Sequence, residues 1–451
     1  MKRPAIHIIS LGCPKNLVDS EVMAAALLES GCALTSREEE ADIILLNTCS
    51  FILPAKEESI EEILRLAQWK AAGKCTRLVV TGCLPQRYGE EIARELPEVD
   101  LFLGTDEIGR IGDHIRRLIE TAAPAERSVT PEPVFLMTAE NRRRISTPFY
   151  SAYLKIADGC SNHCTYCVIP AIRGKARSRT QEDIMMEASD LVRCGVRELI
   201  VTAQDTTAYG RDLPGKPTLP DLLRKLCTIA DLRWIRLLYT YPAELTDDLF
   251  RSIAEEEKIC PYIDIPIQHI DDGILRMMNR RGNSDLIRDV LRQARDIIPG
   301  VALRTSLIVG FPGETPARFK RLLDFVAEAR FDHLGVFTYS PEEDTKALAL
   351  PGHVSGKTKE KRKSRIMEAQ ALISEEINRS LVSSIEEVLV EGESGVPEYP
   401  YIGRSRRQAP DIDGVTYLRG KDLRTGDFVN CRITAAEEYD LFGVVIAQKE
   451  T

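Results

Sequence analysis

Cys160, Cys164 and Cys167 are spaced C-x-x-x-C-x-x-C directly after a strand-like segment at 153–157, so any fold of this chain must gather three thiols on one loop. Three thiolates so close together can wrap one cubane iron–sulfur cluster. With three protein ligands, a four-iron, four-sulfur cluster keeps one iron open to an outside chelator. The alternative is a structural zinc site, which needs a fourth ligand. His163 lies inside the motif, but a ligand there would share a very tight loop with its neighbours, and an exposed histidine is the better expectation.

Cys13, Cys49 and Cys83 form no compact motif, yet each directly follows a strand-like run, in S-L-G-C, N-T-C and T-G-C. One strand–helix unit separates each pair. In a parallel sheet the C-terminal strand ends share one rim, where such sheets place their ligands. The three thiols are therefore expected to converge, with Gly12 and Gly82 leaving room for a bulky inorganic group. The alternative is three buried cysteines acting as small apolar residues. Cys32, Cys75, Cys194, Cys227, Cys260 and Cys431 show no such placement and are assigned no role.

The start of the chain has a basic pair but lacks the apolar stretch and cleavage site of a signal peptide. No window approaches about 18 uninterrupted apolar residues, so no membrane span is expected. A cytoplasmic location follows, where twelve cysteines are expected as thiols or metal ligands rather than disulfides. The net charge of −9 argues against nucleic acid as the main partner, which would need a basic face.

The chain reads as α/β with three units. Strand-like runs at 6–10, 43–47, 78–81 and 100–103 alternate with helical stretches at 19–30, 56–72 and 87–96, which predicts an N-terminal parallel sheet over 5–120. Pro124, Pro131 and Pro133 and the arginines at 142–144 mark a linker at 121–147. Six further strands are expected at 153–157, 198–202, 234–239, 262–267, 303–309 and 333–338, with helices such as 181–193 and 317–329 between them. They predict a partial (β/α)6 TIM-like barrel over 148–377, with its chemistry at the C-terminal strand ends. A charged helix at 357–381 leads into short strands at 388–391, 401–404, 415–418, 428–434 and 443–447, a small antiparallel β-barrel over 378–449.

The C-x-x-x-C-x-x-C motif resembles that of the radical S-adenosylmethionine superfamily. The resemblance implies that the open iron binds S-adenosylmethionine and that one electron releases a 5′-deoxyadenosyl radical. Tyr166 matches an aromatic position near the adenine, and L-I-V-G-F-P-G-E at 307–314 is similar to a superfamily element near the cofactor. Gly310 and Gly313 would let backbone approach a ligand, with Glu314 beside them; equally, they could simply turn the chain after a strand. Gln204, with Asp205, ends a strand where polar groups could meet the methionine portion.

Together with Cys13, Cys49 and Cys83, the motif resembles the methylthiotransferase family, whose N-terminal domain holds a second 4Fe-4S cluster and whose C-terminal barrel is a TRAM domain. One branch modifies a tRNA adenosine (the MiaB type); the other modifies an aspartate of small-subunit ribosomal protein S12. S-L-G-C-P-K-N-L-V-D-S-E at 10–21, N-T-C-S-F-I at 47–52, A-K-E-E-S-I at 55–60 and G-C-L-P-Q-R-Y at 82–88 resemble the ribosomal-protein branch. So do A-Q-D-T-T-A-Y-G at 203–210, R-L-L-Y-T-Y-P at 236–242 and D-I-P-I-Q-H-I at 264–270. Pro14 stands where the tRNA branch typically has Gln, and Ser50 departs from an expected Gly.

Charge offers an independent criterion. Residues 378–451 hold nine Lys and Arg against thirteen Asp and Glu, and an acidic barrel suits a basic ribosomal protein better than RNA. The run Lys357, Lys359, Lys361, Arg362, Lys363 and Arg365 points the other way and is expected to be a solvated helix face. The resemblance thus implies β-methylthiolation of an S12 aspartate with two S-adenosylmethionine molecules, two clusters and an electron donor such as flavodoxin or ferredoxin. No side-chain general base is expected. The rival readings are tRNA methylthiolation and a non-catalytic iron–sulfur electron-transfer protein.

Overall fold

The computed structural model describes residues 3–121 and 126–446, so Pro124 and the end of the last expected strand, Ala447, lie outside the described residues. The first unit comprises β1 (Ala5–Ser10), α1 (Pro14–Glu29), β2 (Ala33–Leu34), β3 (Ile43–Thr48), α2 (Leu53–Ala72), β4 (Arg77–Gly82), α3 (Cys83–Glu95), β5 (Leu101–Leu103), α4 (Ile111–Glu120) and β6 (Ser128–Val129). Its six strands are all parallel, in the order β2-β1-β3-β4-β5-β6. Every residue of β3 is buried, as suits a central parallel strand covered on both faces.

The two-residue edge strands β2 and β6 were not expected, because they are too short to show a periodicity. Helix α1 also begins at Pro14 rather than at 19. Proline is favoured at a first helical position, where the N–H it lacks would have no partner. Cys13 therefore sits at the helix N-cap, whereas Cys83 is the first residue of α3, with Gly82 at its N-cap.

The second unit contains β7 (Ser151–Lys155), β8 (Ala157–Asp158), α5 (Ile169–Arg173), β9 (Arg177–Ser178), α6 (Gln181–Arg193), β10 (Glu198–Thr202), α7 (Leu219–Cys227), β11 (Trp234–Leu237), α8 (Asp247–Glu255), β12 (Ile259–Asp264), α9 (Asp272–Met277), α10 (Ser284–Ile297), β13 (Ala302–Val309), α11 (Pro316–Ala329), β14 (His333–Thr338) and α12 (Gly356–Ser380). Six parallel strands run β14-β13-β12-β11-β10-β7, an open barrel wall. Side chains alternate across it. Leu199 and Val201 pack under the helices, whereas Ile200, Tyr153, Trp234 and Tyr262 face the hollow side and share a core with α1. The first strand ends at Lys155, two residues before the expected end. Ala157 instead pairs with Ser178, and this β8–β9 clasp closes the loop that carries the cysteine motif.

The third unit is a closed barrel of β15 (Ile385–Val396), β16 (Tyr399–Ser405), β17 (Thr416–Arg419), β18 (Phe428–Ala436) and β19 (Leu441–Val445). Its pairings are antiparallel except β17 with β19. Among the described residues no helix is long and apolar enough to cross a membrane.

The end of the stretch expected as a linker is pinned down. Arg143 is buried between Glu21 of α1 (2.6 Å) and Glu187 of α6 (2.5 Å), so it joins the first two units. The basic run of α12 is mixed as well: Lys357, Lys361, Lys363 and Arg365 are exposed or partly so, whereas Arg362 is buried against Glu314.

Glu198 joins the core to the barrel. It is fully buried and pairs with Arg236 (3.0 Å) and with Arg404 of β16 (2.6 Å). Burial alone pushes its carboxyl up, but the Arg404 and Arg236 guanidiniums outweigh that and hold it down at about 2. The unfolded value is about 4.3. Because the folded pKa is depressed, the stabilisation is present above the unfolded value and is lost as pH falls from about 4 towards 2. Glu198→Gln is expected to remove about 3 kcal/mol of that acid-dependent stability. Urea melts between about pH 3 and 6 should show a flatter acid limb than wild type.

Candidate metal centres

Strands β1, β3 and β4 pair in register, Ser10 opposite Asn47 and Asn47 opposite Thr81, so Cys13, Cys49 and Cys83 all leave the same sheet rim. Gly12 has φ +86°, and a Cβ there would lie 2.7 Å from Cys49 Cβ and 3.1 Å from its Sγ. At Gly82, φ +97°, a Cβ would lie 2.2 Å from Asn47 Oδ1. The space expected beside these glycines is thus filled by the neighbouring rim, Cys49 beside Gly12 and the end of β3 beside Gly82. They permit close backbone packing and do not open a cavity.

Hydrogen bonds lock the rim. Asn16 Nδ2 donates to the carbonyls of Leu11 (3.1 Å) and Thr48 (2.8 Å). Ser59 Oγ donates to Cys49 O (2.8 Å) and accepts from Cys49 N–H (3.2 Å). The hydroxyl of Ser50, the residue found where Gly was expected, donates to Cys83 O (3.0 Å).

The thiols differ electrostatically. Burial tends to raise Cys13, but the Lys15 ammonium, the Asn16 N–H and Arg173 outweigh it and leave its pKa below the ordinary value. Burial pushes Cys49 up to about 12, with Cys83 and Cys13 adding to the rise, and it also raises Cys83 despite Arg173. Mutual influence of this kind reflects three thiols in one neighbourhood.

The second trio lies on the loop between β8 and α5. Cys160 N–H donates to Gly174 O (3.0 Å), and Cys167 N–H to Cys164 O (3.1 Å). Asn162 N–H approaches Cys160 Sγ at 3.4 Å, and Arg280 Nη1 approaches Cys164 Sγ at 3.9 Å. Burial raises Cys160, and it raises Cys167 to about 12 with Cys164 and Cys160 contributing. Among the described residues no three His, Cys, Asp or Glu side chains converge tightly enough for a single metal ion. Two all-thiol trios with nearby N–H donors fit iron–sulfur clusters, which spread their ligands wider and favour such donors.

A buried ionic network ties the rim of the first trio to β7, β8 and α5, the elements that flank the loop of the second. Asp19 of α1 lies between Lys155 of β7 and Arg173 of α5 (2.5 Å to Arg173), and Asp158 faces the same two cations at 3.1 and 3.4 Å. Arg173 Nη2 also donates to Asn16 Oδ1 and reaches Cys83 Sγ at 3.7 Å. Asp158 is held well below the usual carboxylate range, since Lys155 and Arg173 outweigh its burial.

The residues expected at S-adenosylmethionine divide into two groups. Tyr166 packs edge-on against Phe311 (6.5 Å), within the loop containing Gly310 and Gly313. Gln204 Nε2 donates to Asp158 Oδ1 (2.8 Å), while its buried Oε1 has no hydrogen-bond partner among the described residues. Glu314, by contrast, is turned into its own loop. It accepts from Gly310 N–H and pairs with Arg362 (3.0 Å), and burial lifts its carboxyl to about 7. Gly310 is backed by the Lys359 side chain, 2.3 Å from where a Cβ would be. Gly313 is bonded through its N–H to Gly352 O (2.9 Å). Glu314 and Gly310 therefore brace the loop, because α12 covers them.

No role was expected of Asn16, Asp19, Lys155, Asp158, Arg173 or Arg280. One signal was present: Asn16, Asp19 and Ser20 fall on one face of a helix starting at Pro14.

Comparison with known proteins agrees with this geometry. Residues 5–104 match the model of an uncharacterised protein family (UPF0004), 154–326 that of the radical SAM superfamily, and 382–446 that of the TRAM domain. The chain is 63% identical, over 100% of both chains, to the ribosomal protein uS12 methylthiotransferase RimO of Syntrophus aciditrophicus. It is 52% identical, over 98% of each, to that of Geobacter sulfurreducens. Among solved structures it is similar to the radical S-adenosylmethionine methyltransferase TsrM of Kitasatospora setae, with TM-score 0.54 and 13% identity over 86% of this chain and 77% of that one. At that identity the likeness concerns the fold alone.

Proposed function

The chain belongs to the family of ribosomal protein uS12 methylthiotransferases, and we propose that it adds a methylthio group to the β-carbon of an aspartate of that protein in the cytoplasm. It is a radical SAM enzyme that uses a 4Fe-4S cluster and S-adenosylmethionine. Cys160, Cys164 and Cys167 hold that cluster, and Cys13, Cys49 and Cys83 hold a second one. Residues 5–120 serve as the sulfur-delivering unit, 148–377 as the radical core with 121–147 strapping the two together, and 378–449 as the TRAM barrel that meets the substrate. The observation that carries this reading is the pair of all-cysteine trios, with a buried ionic network running from Cys83 of the first to the elements that flank the loop of the second.

When bound, the clusters and S-adenosylmethionine supply the one-electron chemistry, the methyl group and the sulfur. The chain's own residues hold and orient them. Arg173 and Asn16 direct N–H groups at the rim of the first trio, and Arg280 and the Asn162 N–H do so at the second. Tyr166 offers a flat wall and Gln204 a free acceptor for S-adenosylmethionine. A β-carbon C–H is not acidic enough for a side-chain base near pH 7, and no side chain is assigned that role. A flavodoxin or ferredoxin supplies the electrons.

The test is anaerobic reconstitution followed by incubation with uS12 or with tRNA. A methylthio mass gain on uS12 is expected. A gain on tRNA alone would defeat the assignment, and failure to form 5′-deoxyadenosine from reduced enzyme would favour an electron-transfer role.

A further inference from the structure

Lys15 follows Cys13 by two residues and is 7% exposed. Its Nζ lies 3.4 Å from the centroid of the Tyr239 ring. Among the described residues no carboxylate lies within ion-pair distance of it. Three neighbouring buried cations are matched by carboxylates: Lys155 and Arg173 share Asp19 and Asp158, and Arg143 has Glu21 and Glu187. A buried ammonium without an anion is costly, and a π face compensates only part of its lost hydration. An ammonium has three N–H donors, so the ring leaves capacity for an oxygen ligand.

The position is as telling as the charge. Tyr239 is held in a left-handed backbone conformation, φ +59°, with its N–H on Asp264 Oδ2 (3.0 Å) and its carbonyl accepting from Thr206 N–H (2.9 Å). Two residues on, the Tyr241 ring lies 4.3 Å from Arg280, the same guanidinium that approaches Cys164 Sγ. The three-residue segment 239–241 therefore spans from the Lys15–Cys13 side to the Cys164 side. A carbon that must meet both the radical and the sulfur has to lie along this span. In aspartate the carboxylate is one bond from that carbon, so a cation gripping the carboxylate keeps the β-carbon within reach of both.

We propose that Lys15, steadied by the Tyr239 ring, receives the carboxylate of the substrate aspartate and makes the enzyme select an acidic side chain over its amide. This inference rests on the function proposed above. The competing partner for Lys15 is the Cys13 thiolate itself.

The test uses the anaerobically reconstituted full chain, as wild type, Lys15→Met and Lys15→Arg. Each is measured for iron content, for affinity towards uS12 carrying aspartate or asparagine at the modified position, and for methylthio product. Wild type is expected to bind the aspartate form about 30-fold or more tightly than the asparagine form, the scale of a desolvated charge pair. Lys15→Met should shrink that ratio to within about 3-fold at wild-type iron content, and Lys15→Arg should keep the preference for aspartate. An undiminished ratio in Lys15→Met, with product still formed by wild type, overturns the inference and leaves the function standing. Iron lost from Lys15→Met with no change in the ratio assigns Lys15 to Cys13 and also overturns it. Absence of product from wild type with the aspartate form defeats the functional reading, and this inference with it.

Discussion

Replacing Cys13, Cys49 and Cys83 together by alanine is expected to lower the iron of the reconstituted protein from about eight to about four per chain, one 4Fe-4S cluster remaining. Methylthio transfer to uS12 should fall below detection, while reduced enzyme still forms 5′-deoxyadenosine. The separation is sharp because the trios lie on different units, the first on the rim of β1, β3 and β4 and the second between β8 and α5. Folding should survive the change. Cys49 and Cys83 are buried, but each loses only one sulfur, a small cavity by the standard of larger truncations. Anaerobic iron analysis, a thermal melt and product analysis on the same sample decide the matter. A triple variant that still binds about eight irons would end the two-cluster proposal.

Asp19→Ala is expected to be the most damaging single substitution at the junction. It removes the carboxylate between Lys155 and Arg173, both at most 3% exposed, and leaves Asp158 alone to balance two buried cations. Breaking a buried pair in this way costs about 3–5 kcal/mol, a fall in Tm on the order of 10 °C for units of this size. Transfer should fall further than stability implies, because Arg173 also reaches Cys83 and Asn16 and orients the first trio relative to the second. Combining Asp19→Ala with Lys155→Met should restore part of the lost stability, since the stranded ammonium goes too. Scanning calorimetry of the single and double variants checks both statements, and a single variant melting within about 1 °C of wild type would show that the network holds nothing together.

Much of the architecture was legible because it rests on local pattern. Residues 198–202 and 181–193 appear as strand and helix with the expected bounds, since buried apolar runs and 3.6-residue periodicity are written directly in the chain. Misjudged ends have identifiable causes. The first helix starts early because Pro14 suits a first turn, and the strand before the cysteine motif stops at Lys155 because Ala157 finds a partner in Ser178. The glycines at 12 and 82 were correctly singled out as special, but the reason was wrong: the neighbouring rim occupies the space beside them. Nor does anything in L-I-V-G-F-P-G-E reveal that Arg362 of a later helix will cover Glu314.

By itself the sequence determined the alternation of strands and helices, the compact C-x-x-x-C-x-x-C motif and the recurrence of cysteine at three strand ends, since each depends on residues a few positions apart. Only the tertiary structure decided which charges meet. Lys155 finds Asp19 across 136 residues and Arg173 finds it across 154, while Lys15 reaches the Tyr239 ring and, among the described residues, no acid. Such pairings carry no local signature: they arise from how the first sheet's rim docks against the open barrel, and burial there makes each matched or unmatched charge matter.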